Sequence, residues 1–307
     1  MTHGSLVAIG GPTASGKTDL ALTLADALNG EIVNADSRQV YRGMDIGTAK
    51  PTAAQRALVP HHLLDLVPPD QPFTLGLYTR LAHTAIRDIQ ARGRLPILVG
   101  GTGLYLRAVT QGFAVPEVAP DPELRRRLEV EIMADGLPAL VERLRALDPE
   151  GAARIDHKNP RRVIRALEVC LATGKPFSGL QTREPSYRSV VLILDAPNPL
   201  LFERADARLD AMLKAGFEAE VARLLDEGYD PNLPALSALG YRELGRAVRG
   251  ENAREAAIEE TRHATHAFIR RQRTWFRAEQ HHTVLDLSLG DPLPDAQAVI
   301  RGALAAR

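Results

Sequence analysis

The chain has a single cysteine, Cys170, among 307 residues. That excludes an internal disulfide and any multi-cysteine metal or iron–sulfur site. Cys170 lies in an apolar helical stretch and reads as core. No apolar run reaches the roughly 18 residues that a membrane-spanning helix needs. Residues 1–5 put no basic stretch ahead of an apolar segment, which argues against a signal peptide. The expectation is a soluble cytoplasmic protein with no membrane partner, and no protein partner is evident. An excess of charge is absent as well: Lys plus Arg is 38 and Asp plus Glu is 38. Binding nucleic acid through bulk charge is disfavoured, but a local basic patch is not excluded. Lysine is scarce, with Lys17, Lys50, Lys158, Lys175 and Lys214 the only five, leaving 33 arginines. Guanidinium forks suit phosphate, although GC-rich coding also produces such an excess.

What is present is ordinary for a globular protein, 45% hydrophobic and 25% charged. The length suggests about two domains. Short apolar runs at 6–9, 31–35 and 95–99 alternate with helical spacings at 18–28 and 78–91. A further strand is expected at 62–67. Continuous apolar strands alternating with helices predict an α/β fold with a parallel sheet covered on both faces. From about residue 116 the pattern becomes helical and charged, with helices over 116–147 and 161–173 and a polar loop at 182–188. A buried-strand run returns at 190–194, followed by helical stretches at 200–227 and 254–279. The expected organisation is a P-loop core over 1–117, a helical insertion over 118–186, and the rest of the core with long helices over 187–307.

Gly11, Pro12, Thr13, Ala14, Ser15, Gly16, Lys17 and Thr18 match G-x-x-x-x-G-K-[ST], between a strand and a helix. The glycines let backbone N–H groups turn around phosphate oxygens, and the helix N-terminus adds partial positive charge. Lys17 supplies a point charge, and the Thr18 hydroxyl can ligate Mg²⁺. The motif does not name the phosphate ester. Asp36 closes the next strand, and strand carboxyl ends face the ligand crevice of such sheets; alternatively it caps a following helix. Residues 98–105, Leu-Val-Gly-Gly-Thr-Gly-Leu-Tyr, form a second strand with a glycine turn, or simply a tight connection.

At these residues the chain resembles the bacterial tRNA dimethylallyltransferases, also called tRNA isopentenylpyrophosphate transferases. The matching segments are GPTASGKT at 11–18, DSRQVY at 36–41, MDIGTAKP at 44–51, GGTGLY at 100–105, RRVIRALE at 161–168, GFEAEV at 216–221, GYRE at 240–243 and RRQRTWFR at 270–277. The resemblance implies a P-loop-type core with a helical insertion. It also implies transfer of a dimethylallyl group from dimethylallyl diphosphate to the exocyclic amine of the adenine 3′ of a tRNA anticodon, with Mg²⁺. By the same resemblance Asp36, Lys17, Thr18 and Thr102 carry the chemistry, and Asp36 is the general base. The tRNA anticodon stem-loop would meet Asp36, Ser37, Arg38, Gln39, Thr102, Arg125, Arg161, Arg162, Val163, Ile164, Arg165, Gly240, Tyr241 and Arg242. Two departures stand out: Arg270 replaces the family's usual Lys, and His266 replaces an Arg. The zinc module of eukaryotic relatives is missing, and the adjacent pairs His61-His62 and His281-His282 lack the partners of a metal site.

Two rival activities remain. A P-loop small-molecule kinase shares residues 11–18, and the strand ending in Asp195 resembles a Walker B strand. An adenylate isopentenyltransferase would act on free nucleotides, but the insertion and the late arginine helix favour RNA. ATP is expected to bind only as a weak competitor. A non-catalytic RNA-binding module would have no need of the P-loop.

Overall fold

The computed structural model of the chain describes residues 4–113, 118–180, 185–279 and 282–305. Two compact units result, one from residues 1–110 with 186–307 and the other from 111–185.

The first unit is an α/β sandwich on a six-stranded parallel sheet. Its first half runs β1 (Ser5–Gly10), α1 (Lys17–Ala27), β2 (Gly30–Asn34), α2 (Ala53–Leu58), β3 (His61–His62), α3 (Leu75–Ala91), β4 (Leu95–Val99) and α4 (Gly103–Thr110). The second unit holds α5 (Pro122–Asp135), α6 (Leu137–Leu147), α7 (Pro149–Arg154) and α8 (Pro160–Thr173). The chain then re-enters the sheet with β5 (Arg188–Asp195) and continues through α9 (Asn198–Lys214), α10 (Phe217–Asp226), α11 (Tyr241–Val248), α12 (Arg254–Arg277), β6 (Thr283–Asp286) and α13 (Leu293–Ala305).

The strand order is β3-β2-β4-β1-β5-β6. β1 is central, with Val7 opposite Ile97 on one side and Val190 on the other. Successive residues of a strand face opposite sides of a sheet, and the core divides accordingly. Leu6, Ala8, Val33 and Leu98 pack with Tyr78, Ile86, Leu106 and Phe276. Val7, Ile9, Ile32 and Ile97 pack with Leu20, Leu24, Ala296 and Ile300. A third cluster, centred on Phe217, Val221, Leu224 and Tyr241, gathers α9–α11 over Val40, Tyr41 and Met44.

Three sequence expectations change. The strand at 62–67 shrinks to β3, because Leu63 and Asp65 adopt φ of 65° and 56° and turn the chain out of the extended form. The helical stretch at 200–227 breaks at Gly216, φ 99°, into α9 and α10. The stretch at 116–147 is divided by Gly136, φ 83°, where Pro138 lies in the first turn of α6. Residues 181–184, which include the first three of the expected polar loop, lie outside the described residues, as do 114–117.

Candidate active site

β1, β2 and β4 release their chains at one end of the sheet, and the turns after β1 and β4 need glycine. Gly11 sits at φ 142°, and a Cβ there would lie 2.4 Å from the Leu194 carbonyl oxygen. A Cβ on Gly100 would lie 2.0 Å from the Ala35 carbonyl oxygen. One on Gly103 would lie 2.2 Å from the Trp275 ring. Three turns are thereby brought together: 11–18, 36–39 and 100–103.

In the first turn Gly16, φ 77°, precedes α1 and provides no side-chain cap. The first N–H groups of a helix have no partner within it and form an anion site. Lys17 is half-buried and folds back on its own loop, donating to the Pro12 carbonyl at 2.6 Å and the Ser15 hydroxyl at 3.4 Å. Burial, reinforced by the positive charge of Arg208, pulls its ammonium down to about 7, against the attraction of Asp36.

The second and third turns are stitched together. Asp36 Oδ1 accepts the Arg38 N–H at 2.8 Å, and the Asp36 N–H bonds Asn34 Oδ1 at 3.0 Å. Asp36 therefore turns its own loop and caps no helix. Thr102 Oγ1 accepts the Ser37 N–H at 3.0 Å and donates to the Ser37 hydroxyl at 3.3 Å. Arg38 donates to the Pro234 carbonyl at 2.5 Å and Ser237 Oγ at 3.1 Å, and Gln39 donates to the Thr48 and Ala49 carbonyls. The 44–51 segment is pinned by Glu220 of α10. Its carboxylate accepts the N–H groups of Asp45 and Ile46 at 2.8 Å and of Gly47 at 3.1 Å, and the Tyr241 hydroxyl at 2.6 Å. Only glycine fits at 47, since a Cβ would lie 2.1 Å from Phe217.

Two cavities flank Asp36. One, of about 540 Å³, is floored by Thr13, Ala14, Gly16, Lys17 and Thr18 and bordered by Asn34 and His61. The other, of about 560 Å³, is walled by Phe268, Trp275, Phe276, Leu209 and Met212. Thr13, Asp36, Thr48, Gly101 and Arg208 line both. A polar phosphate-type pocket and an apolar, aromatic pocket therefore meet at one carboxylate. For a metal ion, Thr18 and Asp36 offer hard oxygen donors of the kind Mg²⁺ accepts. No group of three or more His, Cys, Asp or Glu suited to a metal occurs among the described residues, so an ion here would need ligand oxygens too.

Sequence reasoning missed Arg208, which makes no hydrogen bond to the described residues yet borders both cavities. It lies on an unremarkable stretch of α9, and only the folding of α9 across the sheet end gives it away. The late helix ties two of its arginines into the fold. Arg273 pairs with Asp195 at 2.6 Å and Arg277 with the same carboxylate at 3.3 Å. Asp195, the Walker B look-alike, is thus occupied. His266 faces Asp206 at 2.9 Å and stacks on Phe202.

In the second unit, Arg161 and Arg162 are exposed at the start of α8, while Val163 and Ile164 are 0% and 5% exposed. Those two side chains fill the unit's core with Leu128 and Leu144, so they present no surface to RNA. Arg125 and Arg165 both pair with Glu168, at 2.8 and 2.5 Å. Glu168 is 0% exposed, which opposes its ionisation, but the two guanidinium groups and the Asp121 N–H outweigh this and hold it at about 2. These arginines are structural as well as basic. Tyr241 is likewise buried, Gly240 donates its N–H to Glu243, and Arg242 is exposed beside Glu243.

The family model described as IPP transferase matches residues 39–279. A tRNA dimethylallyltransferase of Roseiflexus sp. (strain RS-1) is 52% identical over 96% of this chain and 97% of its own.

This chain belongs to the IPP transferase family.

A tRNA dimethylallyltransferase of Chloroflexus aurantiacus is 54% identical over 89% of this chain and 92% of its own. Among solved structures, the tRNA isopentenylpyrophosphate transferase of Bacillus halodurans superposes with a TM-score of 0.74 at 38% identity, covering 99% of this chain and 97% of that one. A eukaryotic dimethylallyltransferase described as acting on tRNA gives 0.81 at 26% identity, over 99% and 80%. The family fold is the α/β architecture expected from the sequence. No described helix is long and apolar enough to cross a membrane.

Proposed function

We propose that the chain transfers a dimethylallyl group from dimethylallyl diphosphate to the exocyclic amine of the adenine 3′ of a tRNA anticodon, releasing diphosphate. The observation that carries this reading is the meeting of the two cavities at Asp36. The diphosphate sits on the 11–18 turn, and the adenine, flipped out of its stacked loop, enters the aromatic cavity. Trp275 and Phe268 line that cavity and supply aromatic surface against which a base can pack.

The adenine nitrogen attacks C1 of the prenyl group as the C1–O bond breaks, and the bonding pair leaves with diphosphate. Backbone N–H groups at the start of α1, Lys17 and Arg208 stabilise the charge that the leaving group gains. Thr18 would offer its hydroxyl to Mg²⁺, with the Asp36 carboxylate lining the same cavity, and the ion would supply further charge stabilisation to the leaving diphosphate. Asp36 takes the proton that the nitrogen loses. An ordinary carboxylate of pKa about 4 is a weak base, so proton removal accompanies or follows C–N bond formation. Thr102 holds the Ser37 N–H, which keeps the carboxylate's loop in place. Exposed Arg161, Arg162 and Arg242 contact RNA phosphates, and the location follows the tRNA, in the cytoplasm.

Mixing the protein with unmodified tRNA and labelled dimethylallyl diphosphate, with ATP hydrolysis measured alongside, tests the reading. Label should enter the tRNA without ATP. Unlabelled tRNA together with steady, tRNA-stimulated ATP hydrolysis would overturn it in favour of a P-loop NTPase or kinase.

A further inference from the structure

Gln272 of α12 is a buried amide, 7% exposed, in a helix otherwise rich in arginine. Its Oε1 accepts the Thr13 N–H at 2.9 Å. Its Nε2 donates to the Gly101 carbonyl at 3.0 Å. One side chain therefore bonds the diphosphate-type turn and the glycine turn after β4, whose own backbones start from different strands. The fit is close: a Cβ on Gly101 would lie 2.7 Å from Gln272 Nε2. Arg271 and Trp275, on the same helix, line the aromatic cavity, and Thr13 and Gly101 line both cavities.

We infer that Gln272 is a positioning residue that sets the diphosphate turn at a fixed distance from Asp36 and from the base-side cavity. The amide is suited to this because it offers one acceptor and one donor from a single plane. It takes up the Thr13 N–H and so defines which loop N–H groups remain for phosphate: those that follow, at the start of α1. It also ties the loop to α12, the helix that walls the other cavity. A turn held only by its own backbone could shift by the ångström or so that costs group transfer heavily. The inference rests on the proposed diphosphate site, so its test includes a readout that needs no turnover.

Gln272→Ala leaves the Thr13 N–H and the Gly101 carbonyl without a partner. Affinity for inorganic diphosphate, measured by calorimetry, should fall about tenfold. With labelled dimethylallyl diphosphate and tRNA, kcat should fall about 100-fold, while affinity for an unmodified anticodon stem-loop in the absence of diphosphate falls less than the diphosphate affinity, because Gln272 only borders the base-side cavity. Gln272→Glu keeps the volume and the acceptor, loses the donor to Gly101, and brings a negative charge behind the loop. It should bind diphosphate more weakly than Gln272→Ala, and it carries the test should the alanine variant fail to fold. Unchanged diphosphate affinity and kcat in either variant would overturn the inference. So would a parallel loss of diphosphate affinity, stem-loop affinity and Tm, which would make Gln272 an ordinary core residue. A wild-type protein that transfers no label counts against the proposed activity, whereas the diphosphate affinities report on Gln272 alone.

Discussion

The strand-end turns of the first unit and the helix pair α5–α8 of the second use charge in opposite ways. At the turns, Lys17 is held by a carbonyl and a hydroxyl, Arg208 makes no hydrogen bond to the described residues, and one Asp36 oxygen stays uncommitted. In the second unit, Arg125 and Arg165 close on a carboxylate of 0% exposure. Charges left without a full ionic partner in a cleft mark a candidate ligand site. Charges paired inside a helical unit hold that unit together. Acidic and basic residues thus line a candidate site in one region and close on each other in the other, and the partner decides which.

The largest effect should come from Asp36→Ala. Turnover should fall by the 10²–10⁴-fold or so of a lost general base, with tRNA binding kept, because the loop is also held by Thr102 and Arg38. Near-normal turnover would remove Asp36 from the mechanism.

Removing Glu168 tests the other region. Glu168→Ala takes the shared carboxylate from two part-exposed guanidinium groups and the acceptor from the Asp121 N–H, and should cost about 1–3 kcal/mol in chemical denaturation. The pair also carries a pH signature. The carboxyl is held at about 2, below its ordinary 4.5, so its stabilisation is complete above pH 4.5 and is lost as pH falls towards 2. Acid titration of wild type and variant should converge over that window. Parallel curves would show that the cluster contributes nothing.

Lys17 gives a binding signature of opposite direction. Burial and the charge of Arg208 pull its ammonium down to about 7. Diphosphate favours the charged form, so affinity should be greatest below pH 7 and decline above it as each binding event must take up a proton. Comparing slopes with Lys17→Met cancels the titration of diphosphate itself. Equal slopes would mean that the lysine stays charged throughout.

The smallest effect belongs to the exposed arginines. Reversing charge at Arg161 and Arg162 should raise the tRNA KM and reduce the salt slope by about one unit for each lost phosphate contact. Stability should not change. The same change at Arg125 or Arg165 should unfold the second unit before it reports on RNA.

That contrast also explains what was legible beforehand. The 11–18 turn and the strands around it could be read because backbone geometry forces glycine at fixed spacings. Asp36 could be read because strand ends face the crevice. Arg208 could not, since nothing in α9 marks which of its arginines crosses the cleft. The pairing of Arg125 with Glu168 joins residues 43 apart in sequence, and helix periodicity is silent about contacts between helices. Val163 and Ile164 belong to a matching motif yet face the core, because a motif records which residues recur together and not which way each one points. β3 is shorter than its apolar run suggests because Leu63 and Asp65 turn to positive φ, which the run does not reveal.

The register of β1 has a kinetic consequence. β1 finds β4 once residue 99 has been made, but its other edge waits for β5, where Ser5 pairs with Arg188. At ordinary elongation rates the roughly one hundred intervening residues take about 5–20 s to synthesise. Throughout that interval a nascent chain presents Leu6, Val7, Ala8 and Ile9 along an unpaired edge, the kind of edge that recruits foreign strands. Residues 111–185, whose helices contact one another locally, can fold as they emerge. The second edge of β1 is therefore covered only when β5 returns to the middle of the sheet, and both cavities must wait for it, since α9 and α12 follow β5 in the chain.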